Sequence, residues 1–277
     1  KIVTDEFASC GMVRGSLPWN QREGKRRWED VDYAGYYRYM ETFYGITGKE
    51  KLDNGLLIVS SQNKVNEVKE YLTSLKWDGV ERVDTLLSDY LGADNNLYTR
   101  AVIRKSLCAA VARGILGGVK YDYMPIFAGT QGIGKSTFLA ILGREWFSDS
   151  LTSFEGKESA ELIQGTWINE VGELTAMTKQ ETSAVKQFLS KTHDIYRAAY
   201  GRTTNKYPRR CVFFGTSNDS EFLKDSTGNR RFWPVDVGLH PAKKSVWVDL
   251  PKEVDQIWAE AYTYWLLGLS LIHISEP

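Results

Sequence analysis

Cysteine is scarce. The 277 residues hold three, Cys10, Cys108 and Cys211, widely spaced and without a C-x-x-C pair. That excludes a disulfide framework and a cysteine zinc site and suits a reducing compartment, so a cytoplasmic protein is expected. The three histidines are scattered, with no metal-ligand spacing. No apolar run approaches the roughly 18 residues of a spanning helix, so no membrane partner is expected. Net charge is missing too, because 35 basic residues balance 35 acidic ones. A polyanion would have to meet a local basic patch, since no whole-molecule field attracts it. No signal-peptide pattern follows Lys1, and a fragment of a longer protein is expected. Residues 269–277 (LSLIHISEP) follow an amphipathic stretch abruptly and are expected to be a non-native tail. What remains is ordinary globular composition, 42% hydrophobic, 25% charged and 13% aromatic. It excludes disordered, collagen-like and coiled-coil chains and allows one or two domains with a proper core.

Over residues 1–118 the apolar positions repeat with helical spacing. Tyr36, Tyr39, Met40 and Phe43 form one stripe, Val68, Tyr71, Leu72 and Leu75 another, and Val83, Leu86, Leu87 and Tyr90 a third. A longer helix over about 97–115 carries Ile103, Leu107, Val111 and Ile115 and ends at Gly117 and Gly118. The stripes predict helix-packing core in a mostly helical N-terminal region, a collar or a docking site. From Tyr121 the pattern changes to short apolar runs alternating with helical segments, at 124–128, 167–171, 211–216 and 232–235. Such alternation predicts an α/β domain with a mostly parallel sheet. The boundary is expected near 117–120, giving a second domain over 119–268.

The residues Gly129, Thr130, Gln131, Gly132, Ile133, Gly134, Lys135 and Ser136 match G-x-x-x-x-G-K-[ST], followed by Thr137. An apolar run precedes them and a helix-forming segment follows, the context of a phosphate-binding loop. Glycines let backbone N–H groups converge on phosphates without a Cβ in the way. The following helix N-terminus adds partial positive charge. Lys135 is expected to reach the β/γ-phosphates of ATP, and the Ser136 hydroxyl to ligate Mg²⁺.

The run 167–174 (WINEVGEL) ends in two carboxylates, Glu170 and Glu173. A phosphate-loop enzyme needs an acid at the C-terminal edge of a neighbouring strand to hold the metal shell and polarise water. Either glutamate can serve; Glu173, at the strand's end, is the first choice as catalyst, with Glu170 assisting at the metal.

Between Lys191 and Arg210 six basic residues face one acid, Asp194. The segment alternates in strand fashion around Gly201 and predicts a β-hairpin turning near residues 200–202. Arg197, Arg202 and Lys206, interleaved with Tyr200 and other tyrosines, suit single-stranded DNA, the cations neutralising phosphates and the rings stacking on bases. A solvated hairpin with ordinary surface charge is the alternative. Asn218, ending the strand-like run 211–218, is placed to orient water or sense the γ-phosphate. Arg230 or Arg231 can serve as an arginine finger; the plainer alternative is an ion pair with Asp225 or Asp236.

Six segments together resemble the virulence-associated protein E family: YLTSLKWDGVERVDTLLSDYL (71–91), GTQGIGKST (129–137), WINEVGEL (167–174), VKQFLSKTHDIYRAAYGR (185–202), CVFFGTSN (211–218) and GNRRFWPV (228–235). The family comprises P-loop proteins of phages and mobile elements, related to superfamily 3 helicases and primase-helicases within the AAA+ class. The resemblance implies an AAA+-like P-loop domain with a hairpin insert, Lys135, Ser136 and Thr137 as Walker A residues, and Glu170 and Glu173 as Walker B acids. It also implies Asn218 as sensor, Arg230 or Arg231 acting on a neighbour's nucleotide in a homo-oligomeric ring, expected to be a hexamer, and Lys186 near the phosphates. The acids depart from the adjacent pair of many AAA+ proteins in their Glu-x-x-Glu spacing. Three functions follow as expectations: an ATP-driven DNA motor, a nucleotide-gated DNA-binding or interference protein, and, against the position of its arginines, a small-molecule kinase.

Overall fold

The computed structural model describes residues 1–172, 179–197, 203–218 and 229–268. Two compact units divide the chain, Lys1–Glu70 and Tyr71–Pro277.

The first unit carries the expected helices, α1 (Asp30–Tyr44) and α2 (Lys49–Gln62), and also a sheet that helical periodicity does not register. Strands β1 (Ile2–Asp5), β2 (Cys10–Arg14), β3 (Lys25–Arg27) and β4 (Lys64–Val65) lie in the order β3-β2-β1-β4. Val3, Met12 and Val13 form its buried face. The aromatic stripe of α1 is not core: Phe43 is 69% exposed, and Tyr36 and Tyr39 pack at its margin against Trp19, ring centroids 5.9 and 5.6 Å away. The buried residue of α1 is Asp32, which pairs with Arg26 and accepts the Glu29 N–H at 3.0 Å, closing the helix's first turn.

The division between the units falls inside α3 (Glu67–Ser74). Beyond it come α4 (Leu86–Leu91), α5 (Leu97–Leu116), β5 (Met124–Ala128), α6 (Lys135–Gly143), β6 (Phe147–Ser148), α7 (Gly156–Leu162) and β7 (Ile168–Val171). Then follow α8 (Lys179–Ser190), the hairpin strands β8 (His193–Tyr196) and β9 (Asn205–Pro208), β10 (Val212–Ser217), β11 (Phe232–Asp236) and α9 (Leu250–Leu266). Five strands form one wholly parallel sheet in the order β11-β5-β10-β7-β6. Four of them lie within a residue of the apolar runs that predicted them; β6, two residues long, leaves no periodic trace.

Alternation along the strands builds two cores. Ile126, Ala128 and Phe213 face Val185, Phe188 and Leu189 of α8. On the other side Phe127 meets Phe138 of α6 and Phe214, at 6.0 and 5.8 Å. Helix α5 starts at an Asn96 cap, whose side chain accepts the Thr99 N–H at 3.0 Å, and is buried on nearly every side. Trp167 donates to the Ala110 carbonyl of α5 at 2.8 Å and stacks on Trp258 of α9 at 4.0 Å. Arg113 of α5, 1% exposed, donates to the carbonyls of Val119 (3.0 Å), Cys211 (2.7 Å) and Tyr121 (2.6 Å). These contacts place α5 with the parallel sheet, and Tyr90 of α4, its ring 6.5 Å from that of Phe138 on α6, joins them, whereas the boundary expected near residue 118 separates both helices from it. The Gly117-Gly118 pair marks a change of element type there, not a change of core. Among the described residues, no helix is long and apolar enough to cross a membrane.

Candidate functional site

In a parallel sheet every strand ends on the same edge, so the turns after β5, β7 and β10 gather there. The turn after β5 is the loop 129–136. Gly129 cannot be replaced: a Cβ there would lie 2.4 Å from the Val237 carbonyl oxygen. Gly134, with φ of +92°, turns the chain into α6, and its backbone lies so close to Trp247 that a Cβ would meet the ring at 3.3 Å. Ile133 points behind the loop toward Gly238.

Lys135 opens α6 and is buried. Its ammonium donates to the carbonyls of Gly129 (2.6 Å) and Thr130 (2.9 Å) and to Oδ1 of Asn218 (3.3 Å), the last residue described after β10. Burial pulls its pKa below the ordinary lysine range, and the Glu170 carboxylate opposes that shift. Glu170, 5% exposed on β7, accepts from Ser136 Oγ and Thr216 Oγ1, both at 2.7 Å and both on the same Oε1. The register explains the meeting. Phe214 of β10 stands beside Glu170 of β7, so Thr216, two residues on, points to the same face, the one covered by α6.

Around these groups opens a cleft of about 510 Å³. Gln131, Gly132, Gly134 and Thr137 line it with Lys135 and Ser136 on the loop side, and Glu170, Gly172, Thr216 and Asn218 line it from the neighbouring strands. One buried ammonium, a glycine-bearing loop, a helix N-terminus and a hydroxyl–carboxylate pair make up a set of groups that fits a phosphate chain carrying a divalent cation. Glu173 lies outside the described residues.

The other expected residues separate from this cleft. Arg230 and Arg231 belong to the single helical turn before β11, and Phe232, which follows them, pairs with Met124 at the opposite end of the sheet. Arg231 donates to Asp122 at 3.3 Å, and among the described residues it makes no ion pair with Asp236; Asp225 lies outside the described residues. Arg230 is exposed, with no hydrogen-bond or ion-pair partner among the described residues. Lys186 stands 5.8 Å from the Phe232 ring, at that same far end, and is not near the cleft as expected.

The hairpin exists, with Tyr196 paired to Asn205 nearest its turn; Tyr200 and Arg202 lie outside the described residues. Its cations do different jobs. Arg209 is buried, donates to Asp194 at 2.7 and 2.9 Å and lies 4.0 Å over the Phe188 ring, while Arg210 donates to the Gly114 carbonyl at the end of α5. Arg197 and Lys206 are exposed. Tyr196 is buried and stacked on Tyr207 at 4.5 Å, so it offers no free face.

Among the cleft residues that escape sequence reading are Thr216 and Trp247. Thr216 looks like turn chemistry, although its place at the end of a buried strand is the signal. Trp247 sits in an irregular stretch with no periodic pattern.

The NrS-1 C-terminal region (305–718), solved in its apo form, is similar to the chain with a TM-score of 0.58 and 11% identity. The alignment covers 95% of this chain and 66% of that one, so the chain spans just under two thirds of its length. The A form of the same apo region gives a TM-score of 0.59 at the same identity and coverage. At that identity the likeness concerns the fold. No curated protein matches the chain. The family model for the virulence-associated protein E-like domain matches residues 72–276, the whole stretch that holds the parallel sheet, the loop 129–136 and Glu170. By that match the chain belongs to the virulence-associated protein E-like family.

Proposed function

We propose that this domain binds and hydrolyses ATP with Mg²⁺ and couples turnover to movement on single-stranded DNA, as a motor of mobile-element replication. The observation that carries the reading is the meeting of Lys135, Ser136 and Glu170 in one cleft at the N-terminus of α6. The loop amides of 129–134 and the Lys135 ammonium would hold the phosphates, and Ser136 and Glu170 would hold the metal. Bound there, Mg²⁺ would neutralise charge on the phosphate oxygens. The ammonium now rests on two loop carbonyls and Asn218, contacts that γ-phosphate oxygens would replace. Asn218 would orient the attacking water, with Glu173 beyond Gly172 as its base. Arg230 would supply fixed positive charge to a neighbouring subunit's nucleotide within a homo-oligomeric ring, expected to be a hexamer. Arg197 and Lys206 on the hairpin, with Tyr200 and Arg202 in its turn, would meet the DNA.

ATP turnover measured with and without single-stranded DNA at low salt tests this. DNA-stimulated hydrolysis, lost in Lys135→Ala, supports the motor; unstimulated turnover, with filter-bound DNA but no strand displacement on a fork, favours the nucleotide-gated binding protein.

A further inference from the structure

The cleft has one feature that phosphates and metal leave unused. Among the described residues, Trp247 is the single aromatic side chain lining it, in a wall otherwise made of glycine, hydroxyl, amide and charged groups. The indole is 58% exposed, so its face is open to the cleft. The ring is also held in place. Its Cζ2 and Cη2 edge lies against the Gly134 backbone, 3.3 Å from where a Cβ would stand. The preceding Val246 is 1% exposed beneath the same loop. The turn around the ring is closed by the Ser245 N–H on Asp249 Oδ2 at 2.8 Å and the Asp249 N–H on the Ser245 carbonyl at 2.9 Å. A flat apolar face is thus fixed beside the residue that enters α6, in the same cleft as the loop.

We propose that Trp247 is the nucleobase platform of this site: the exposed indole face stacks on the base of a nucleoside triphosphate whose phosphates lie in the loop 129–136. The inference rests on the nucleotide-binding reading above and adds the part of the ligand that the loop cannot recognise. Stacking is tolerant of base identity, because every base has a π-face. The two carboxamides in the cleft wall lie on the phosphate side, Gln131 within the loop and Asn218 against the Lys135 ammonium at 3.3 Å. The site therefore takes purine nucleotides, with their larger faces, ahead of pyrimidine ones, and separates ATP from GTP weakly.

Calorimetric titration of the full chain with Mg·ATP and with Mg·tripolyphosphate, which has the phosphates and no base, tests this. In Trp247→Ala the affinity for ATP is expected to fall about tenfold or more, about 1.4 kcal/mol, with the affinity for tripolyphosphate unchanged. Trp247→Phe, which keeps a ring, is expected to recover most of the loss. Equal losses for both ligands would make Trp247 a buttress of the loop and overturn the proposal, as would no loss for either. Failure of the wild-type protein to bind both ligands would overturn the nucleotide-binding reading itself.

Discussion

Thr216 and Glu170 sit on neighbouring parallel strands, and the threonine hydroxyl donates to the glutamate carboxylate at 2.7 Å. The oxygen it touches is the one that Ser136 also touches. Thr216 therefore holds the acid that faces the loop from the neighbouring strand, while Ser136 is the hydroxyl that, on the proposed reading, would exchange its hydrogen bond for a metal.

Thr216→Val keeps the shape and removes the donor. A hydrogen bond to a charged group contributes about 1.5 kcal/mol or more, so the Mg²⁺ concentration for half-maximal ATP turnover is expected to rise about tenfold. Maximal turnover at saturating metal should fall far less. Glu170→Gln removes the charge that would hold the metal, so it should raise that midpoint further and also lower maximal turnover, while ATP still binds. A metal titration of turnover separates the two effects; an unchanged midpoint in Thr216→Val would show that Thr216 has no hold on the acid.

The hairpin cations divide by burial. Lys206 is exposed, whereas Arg209 is locked to Asp194 over Phe188. Lys206→Ala is expected to weaken single-stranded DNA binding and to reduce the slope of log affinity against log salt by about 0.7, one phosphate contact. Arg209→Ala strands a buried carboxylate and should cost about 3–5 kcal/mol of stability. Filter binding over a salt series, beside urea melts, checks both. A full salt slope in Lys206→Ala would remove that residue from the interface.

The parallel sheet was legible because its strands are buried on both faces and read as continuous apolar runs, as 124–128 and 211–216 do. The loop was legible because its chemistry demands fixed residue types at fixed spacing. The N-terminal sheet was not, since β3 is three residues of Lys-Arg-Arg and β4 two of Lys-Val, too short and too polar to alternate visibly. The aromatic stripe of α1 misled for the converse reason: spacing reveals a face, and Phe43 shows that the face need not be buried. Nor does charge reveal duty. Arg197 and Arg209 look alike in sequence, and only the fold brings Asp194 and Phe188 to one of them.

The first unit should be acid-sensitive in a defined window. The Arg26 guanidinium, with help from the Glu29 N–H, holds the Asp32 carboxyl down at about 2, below its ordinary value near 4. A carboxyl depressed by folding contributes stability that is complete above its unfolded pKa and lost as pH falls through the folded one. Urea melts of the wild type and Arg26→Gln are expected to differ most at neutral pH, to converge between about pH 4 and pH 2, and to coincide below that. A gap that stayed constant across the window would mean that the pair adds nothing through charge.

The sharpest distinction concerns the two adjacent arginines. Both precede β11, whose five residues run the length of the sheet before the chain comes back beside the loop. At 3.3 Å per residue that is about 16 Å, so neither side chain serves the cleft of its own chain. Arg231 is already paired with Asp122, at a partly exposed site where such a pair contributes at most about 1 kcal/mol. Arg230 faces solvent unpaired among the described residues, which makes it the one available to a neighbour. Arg230→Ala is expected to lose about 10³-fold of ATP turnover, the usual scale for such a group, and Arg231→Ala only a few-fold. Complementation then tests the geometry. Lys135→Ala and Arg230→Ala should each be inactive alone, but in the proposed ring a mixed assembly would contain sites with an intact lysine on one subunit and an intact arginine from the next. Mixing the two should restore a measurable fraction of wild-type turnover, greatest near equal proportions. Two inactive proteins that stay inactive on mixing, while sedimenting together, would place the arginine's action elsewhere.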